Sequence, residues 1–268
     1  MSHIAITDRE FALFQRFIFD AAGITMSPTK KALVSGRLSK RVLHHHCGSF
    51  ADYFRLIERG GNNEEVQLAV DLLTTNETYF FREKKHFDLL RKLAQAARAD
   101  STPFRVWSAA CSSGEEVYSI AMVLADCLEG RAWEVLGSDL SARVLRCARA
   151  GHYKTQRTDQ IPPDYLRRYC LRGIGEQDGT LLIDPALRQR VQFAQVNLNA
   201  ALPQLGPFDV VFLRNVMIYF SNDTKRQVVA RVTGKLKPGG HLFIGHSESL
   251  SDLDTGMRSL GPAIYRKE

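Results

Sequence analysis

The sequence predicts an α/β protein: a doubly wound, mostly parallel sheet with a small all-helical N-terminal domain before it and a small β insert within it. Three observations predict this. Residues 1–75 carry helical periodicity and no strand pattern. From Phe104 onward, short apolar runs alternate with helical stretches, and a Gly-punctuated stretch at about 151–190 interrupts the alternation. Strands separated by helices imply parallel pairing, with ligands bound at the carboxyl ends of the strands.

In the helical part, Thr7 and Glu10 form a capping box. Phe11, Phe14, Phe17, Ile18 and Ala21 then recur at helical spacing until Gly23 stops the segment. Pro28 precedes a second helix at about 29–46. Ser49 caps a third at 50–59, stopped by Gly60-Gly61, and 64–73 makes a fourth. Residues 1–75 are therefore read as one domain, 76–103 as a linker and lid, and 104–268 as the α/β domain with its insert. Strands are expected at 104–109, 133–139, 191–196, 208–213 and 241–246, with 263–266 as an antiparallel closing edge. Helices are expected at 115–128, at 142–150 behind the cap Ser141, and at 223–236 before the stop signal Lys237-Pro238-Gly239-Gly240. The insert contains a basic-aromatic helix, Tyr165 to Tyr169, and its stretch RGIGEQDGTLLI reads as a hairpin.

Hydrophobic residues at 44% and charged residues at 24% fit an ordinary soluble domain. No apolar run reaches the roughly 18–20 residues that span a bilayer. The start, MSHIAITDREF, lacks the form of a secretory signal, so a cytoplasmic protein without membrane insertion is expected. Five scattered cysteines without a CxxC pair fit reduced thiols. A formal charge of +7 favours acidic partners but does not choose among nucleic acid, membrane and protein.

The turn after the first strand, Ala109 to Glu116, has one glycine and two carboxylates where a dinucleotide fold would show GxGxxG. Carboxylates suit a helix N-terminus structurally. They also repel a pyrophosphate and attract a cation, which fits S-adenosylmethionine with its ammonium and sulfonium. Asp139, ending the second strand 25 residues after Gly114, can accept both hydroxyls of a ribose. Asn197 and Leu198, ending the third, suit the edge and face of an adenine, although Asn is also an ordinary turn residue. The fourth strand runs into Arg214-Asn215, a charge that must find a partner or a cleft, with Tyr219 close behind. The segment 72–83 mixes hydroxyls, an amide, aromatics and one arginine without a clean period. It reads as a lid, and Arg82 is able to bind a carboxylate bidentately.

Together these stretches resemble the chemotaxis receptor glutamate O-methyltransferases, the CheR family. The matching text is TTNETYFFRE (74–83), RVWSAACSSGEE with YSIA (105–121), SD (138–139), FDVVFLRNVMIYF (208–220) and LKPGGHLFIGHSES (236–249). The resemblance implies a sheet of the S-adenosylmethionine-dependent methyltransferase type, with S-adenosylhomocysteine as product. It implies that Asn76, Thr78 and Arg82 meet the methionyl end of the cofactor, that Glu116 takes its α-amino group, and that Asp139 holds the ribose. Asn197 and Leu198 would frame the adenine, and Leu213, Arg214 and Asn215 would form the adjoining wall. Arg82 and Tyr219 would flank the transferring methyl as the catalytic pair. Cys111 stands where another small residue is expected.

The implied partner is the cytoplasmic signalling domain of a chemotaxis receptor, met by a monomer. Residues 21–51 hold no acidic residue. The cations Lys30, Arg37, Lys40 and Arg41 on overlapping helix faces are then expected to dock an acidic receptor helix. The insert resembles the β-subdomain of members that grip a receptor's C-terminal pentapeptide, which implies Arg172, Gly173, Gly175 and Gly179 as tether-binding residues. His44-His45-His46 point in different directions on a helix, so no metal is expected. The competing readings are a nucleic-acid methyltransferase and a non-catalytic receptor adaptor. The first would usually show Asn/Asp-Pro-Pro-Tyr where this chain has Asn215-Val216-Met217-Ile218, or else a lysine general base.

Overall fold

The structure is a computed structural model that describes residues 4–59, 63–97 and 102–268. The helix stop expected at Gly60-Gly61 lies outside them. Four helices make the N-terminal part: α1 (Asp8–Ala22), α2 (Lys31–His44), α3 (Phe50–Glu58) and α4 (Asn63–Leu73), with a 3-10 turn, Pro28–Lys30, leading into α2. The capping box at Thr7 and Glu10 is formed and Ser49 caps α3, so the local signals decide both starts. Phe14, Ile18, Leu38, Phe50 and Tyr53 are fully buried at the centre.

A fifth helix, α5 (Lys84–Ala96), occupies the stretch read from sequence as linker. It buries Phe87, Leu90 and Ala94 in the same core as the helix after the first strand. Its start has no side-chain cap, because Glu83 precedes it in left-handed backbone at φ 60°.

The α/β part contains β1 (Phe104–Ser108), α6 (Glu115–Cys127), β2 (Trp133–Asp139), α7 (Ala142–Ala150), β3 (His152–Lys154), α8 (Pro163–Tyr169), β4 (Cys170–Arg172), β5 (Thr180–Ile183), α9 (Pro185–Arg188), β6 (Val191–Gln195), β7 (Phe208–Leu213), α10 (Asn222–Thr233), β8 (Leu236–Ile244), β9 (Met257–Gly261) and β10 (Ile264–Lys267). Seven strands pair in the order β6-β2-β1-β7-β8-β10-β9. The first five are parallel, and β10 is antiparallel to both its neighbours.

Two expectations are corrected here. The 263–266 strand is antiparallel but is not the edge, which belongs to β9. The Lys237-Pro238-Gly239-Gly240 stretch is no stop signal but part of β8, absorbed as a register shift opposite Phe208–Val210. The insert is a separate antiparallel sheet, β3-β5-β4, so the expected hairpin is joined by a third strand. Among the described residues, no helix is long and apolar enough to cross a membrane.

Several hydrogen bonds join the helical part to the α/β part, among them Gln67 donating to Leu140 O at 3.2 Å and accepting from the Gln195 amide at 2.8 Å. Asp71 on α4 accepts the first amides of α7, from Ala142 and Arg143, both at 3.0 Å. The Asn197 amide donates to the carbonyl of Ala21 at 2.7 Å. Thr25 N donates to Tyr219 O at 2.8 Å, beside an isolated bridge between Ile24 and Phe220. Gly23 allows the approach: its φ is 72°, and a Cβ there would lie 2.7 Å from the Thr224 methyl.

Candidate active site

A cavity of about 360 Å³ opens at the carboxyl ends of β1, β2, β6 and β7, the place a doubly wound sheet reserves for ligands. It brings together Asn76, Thr78, Arg82, Glu116, Asp139, Asn197, Leu198, Arg214, Asn215 and Tyr219, all expected there from sequence. The helical part supplies a wall that sequence reading missed, the loop Ile24 to Ser27 with Lys30 and Leu33. Residues 24–27 follow a helix stop and carry no period, so only the docking of the two parts reveals their role.

The acidic side of the cavity is a charge network. Arg214, almost wholly buried, donates from Nη1 to Glu116 Oε2 at 2.7 Å and from Nη2 to the Arg82 carbonyl at 2.6 Å. The same Nη2 lies 3.0 Å from Glu83 Oε2. Burial alone would raise the Glu83 carboxyl, but Arg214 and the His246 amide hold it below the usual range. Ser108 Oγ donates to the other Glu116 oxygen at 2.8 Å. One guanidinium thus serves two carboxylates, and of the two Glu116 lines the cavity, where it can meet a cationic ligand head. Asp139 accepts Ser112 N and Ser141 N at 2.8 and 2.9 Å, which fixes its carboxylate at the strand end. Gly114 turns the chain into α6 at φ 96°, where a Cβ would lie 2.9 Å from Ala148.

Across the cavity, the lid runs from Thr74 to Glu83. Phe81 and Glu83, either side of Arg82, both have left-handed backbone, a conformation that branched or bulky residues rarely hold without support. The support is visible: Phe81 N donates to Ser119 Oγ at 3.0 Å, and Arg214 holds the Arg82 carbonyl. The Arg82 guanidinium donates to Glu77 O at 3.3 Å and faces the Tyr79 ring at 5.6 Å. Among the described residues it has no carboxylate partner. Tyr219 sits in a 3-10 turn after β7. Glu248 clamps that loop by accepting the amides of Gly245, Asn215 and Met217 at 2.6, 2.9 and 2.8 Å, with Ile218 at 3.3 Å. This clamp is what the GHSES ending contributes.

Several expected residues are placed elsewhere. Leu213 is fully buried in the core beside Trp107 and does not line the cavity, because both faces of β7 are covered. Arg37 turns inward, donating to the carbonyls of Leu73 and Thr74 at 3.4 and 2.9 Å. Arg41 is paired with Glu65 at 2.9 and 2.5 Å, and Tyr53 also donates to that carboxylate. Although burial would raise Glu65, these bonds hold it at about 2. Of the four docking cations, Lys30 and Lys40 remain exposed. The insert residues Arg172, Gly173, Gly175 and Gly179 lie on and after β4 and are not among the residues lining the cavity. Arg172 stands 3.9 Å from Asp178.

Glu83, His86 and His246 bring ligand-type atoms within 4.8 Å of one another, a grouping the sequence did not suggest. Arg214, 3.0 Å from the carboxylate, already supplies its counter-charge. Cys111 is buried, and burial pushes its thiol well above the ordinary range, which fits a packing role.

Residues 76–264 match the family described as CheR methyltransferase, SAM binding domain. Residues 9–74 match the CheR methyltransferase, all-alpha domain. The chain is 41% identical over 266 residues to the chemotaxis protein methyltransferase of Escherichia coli (strain K12), covering 98% of this chain and 92% of that one. It is 40% identical over 262 residues to chemotaxis protein methyltransferase 2 of Pseudomonas aeruginosa, covering 97% and 93%. Among solved structures, the glycopeptide N-methyltransferase MtfA complexed with S-adenosyl-L-methionine aligns at TM-score 0.34 and 19% identity, over 57% of this chain and 48% of that one.

Proposed function

The chain belongs to the CheR methyltransferase family and takes S-adenosylmethionine as its cofactor; from that premise we propose that it esterifies glutamate side chains on the cytoplasmic signalling domain of a chemotaxis receptor. The observation that carries the reading is the shared cavity, in which Glu116 and Asp139 face Arg82 and Tyr219.

The residues fit the cofactor. Glu116 lines the cavity with its carboxylate held by Arg214 and Ser108, placed to take an ammonium. Asp139 has its backbone-held carboxylate free on its remaining lone pairs for two hydroxyls. Asn197 and Leu198 offer an amide and an apolar face. When bound, S-adenosylmethionine supplies an electrophilic methyl group on a sulfonium.

A glutamate acceptor needs no general base, since its ordinary pKa is about 4.3 and it is ionised at neutral pH. The residues' work is therefore alignment, which contributes on the order of 7–11 kcal/mol in well-oriented encounters. Arg82, without a carboxylate partner among the described residues, receives the acceptor carboxylate, and the Tyr219 hydroxyl fixes its second oxygen. Tight pairing with Arg82 blunts the nucleophile, and orientation outweighs that cost. Exposed Lys30 at the cavity and Lys40 on α2 steer an acidic receptor surface to the entrance. The free edge of β4 suits a receptor's C-terminal pentapeptide by strand addition.

Calorimetry should detect both S-adenosylmethionine and S-adenosylhomocysteine. Labelled methyl should pass to receptor as base-labile ester, released as methanol. Arg82→Ala should lower turnover by about a hundredfold or more. Absence of binding to both cofactor forms, or label that resists base, overturns the proposal.

A further inference from the structure

One side chain of the β insert bonds both the cofactor turn and the lid. Arg157 ends the 3-10 turn, Thr155–Arg157, that follows β3. Its Nη2 lies 2.5 Å from Glu115 Oε1, donates to the Thr78 carbonyl at 3.2 Å, and lies 3.5 Å from Ser113 Oγ. Glu115 opens α6 with a side chain wholly out of solvent, and its Oε1 has no hydrogen-bond donor beyond this ion pair. Tyr153, on β3 itself, makes the second contact. Its hydroxyl donates to Ser113 O at 2.8 Å, and its ring meets Phe80 edge-on at 5.0 Å.

A counter-ion for Glu115 would explain the ion pair and nothing more. The bond to Thr78 needs another account. The lid is held at one end by Ser112 Oγ on the Asn76 carbonyl and at the other by Ser119 and Arg214 around Arg82. Among the described residues, Arg157 is the only side chain outside the lid that bonds the backbone of residues 77–79. Its Nη2 alone meets both the carboxylate and the carbonyl, so one end of the guanidinium ties the two segments together.

We infer that Arg157 is a positioning residue for methyl transfer: from the insert, it fixes the middle of the lid over the cofactor turn and so sets where Arg82 stands. The insert then forms part of the active-site framework as well as an accessory surface. This inference rests on the methyl-transfer reading above, in which the lid carries Arg82.

The test uses the full chain and three variants, Arg157→Gln, Arg157→Lys and the double variant Glu115→Gln/Arg157→Gln. Hydrogen–deuterium exchange of residues 76–83 is measured in the free protein, and turnover and KM for receptor are measured separately. Arg157→Gln should raise lid exchange and lower turnover about tenfold or more, as expected for a misplaced reacting group, with a smaller change in KM. The double variant removes the unpaired buried charge. It should regain any thermal stability lost by Arg157→Gln while keeping the lid exchange and the turnover defect. Arg157→Lys should retain part of the turnover. Unchanged lid exchange in Arg157→Gln overturns the inference, as does full recovery of turnover in the double variant, which would make Arg157 a counter-ion alone. If the wild-type chain fails to transfer methyl, the functional reading falls, and the exchange measurement still decides whether Arg157 holds the lid.

Discussion

Phe81 and Glu83 place Arg82 between two left-handed residues, so the guanidinium is aimed by backbone that the surroundings must hold in place. His86, one helical turn further on, is part of those surroundings. It is 1% exposed, its ring lies 5.1 Å from Phe243 at 22°, and neither ring nitrogen has a hydrogen-bond partner. Burial, and then the charge of Arg214, push its pKa down from 6.5 to about 4. The unfolded chain takes up that proton near 6.5 and the folded chain only near 4. Stability should therefore fall as pH drops through this window, by up to about 3 kcal/mol. Denaturant unfolding of wild type and His86→Phe between pH 7 and pH 4 should show a flatter profile for the variant. Equal slopes would mean that His86 takes up its proton at the same pH in the folded and unfolded chain. Position 86 carries no such signal in the sequence, because a histidine on a helix is ordinary until its depth is known.

Elements differed in how far they could be read. α1 and α3 were legible because Thr7, Glu10 and Ser49 are capping residues that act locally. α5 was not, since its start depends on Glu83 in a strained conformation held by Arg214, a partner 131 positions away. β9 was missed because its residues are mostly exposed and show no alternation. The Gly-rich start of β8 looked like a stop because a register shift cannot be seen in one strand alone. Likewise the cavity's strand-end residues were legible from order along the sheet, whereas Arg37 and Arg41 were misplaced because partners such as Glu65 come from another helix. The loop after β7 is the element most exposed to a single change. Glu248→Ala removes the acceptor of four amides, a net contribution of about 1.5–3 kcal/mol for a bond to a charged group, and water reaches part of this loop once the side chain is gone. A net loss of about 2 kcal/mol is expected, with S-adenosylmethionine affinity falling as Asn215 and Tyr219 lose their frame. Thermal unfolding and calorimetry read both, and unchanged affinity would detach the clamp from the cofactor site.

For the whole molecule, the cavity depends on the helical part staying docked, because Ile24 to Ser27 form one of its walls. Asp71 is the main polar fastener, accepting the amides that open α7 as a capping carboxylate does. Asp71→Ala should cost about 1–2 kcal/mol. It should also weaken cofactor binding although Asp71 lies outside the cavity lining, and cofactor affinity equal to wild type would show that the two parts act independently. The order of the sheet has a further consequence, for how the protein is made. On the ribosome β9 emerges before β10, yet in the finished sheet β10 lies between β8 and β9. Met257 to Gly261 must therefore wait beside an incomplete sheet until the strand translated after them slots into place, and they need shelter until then.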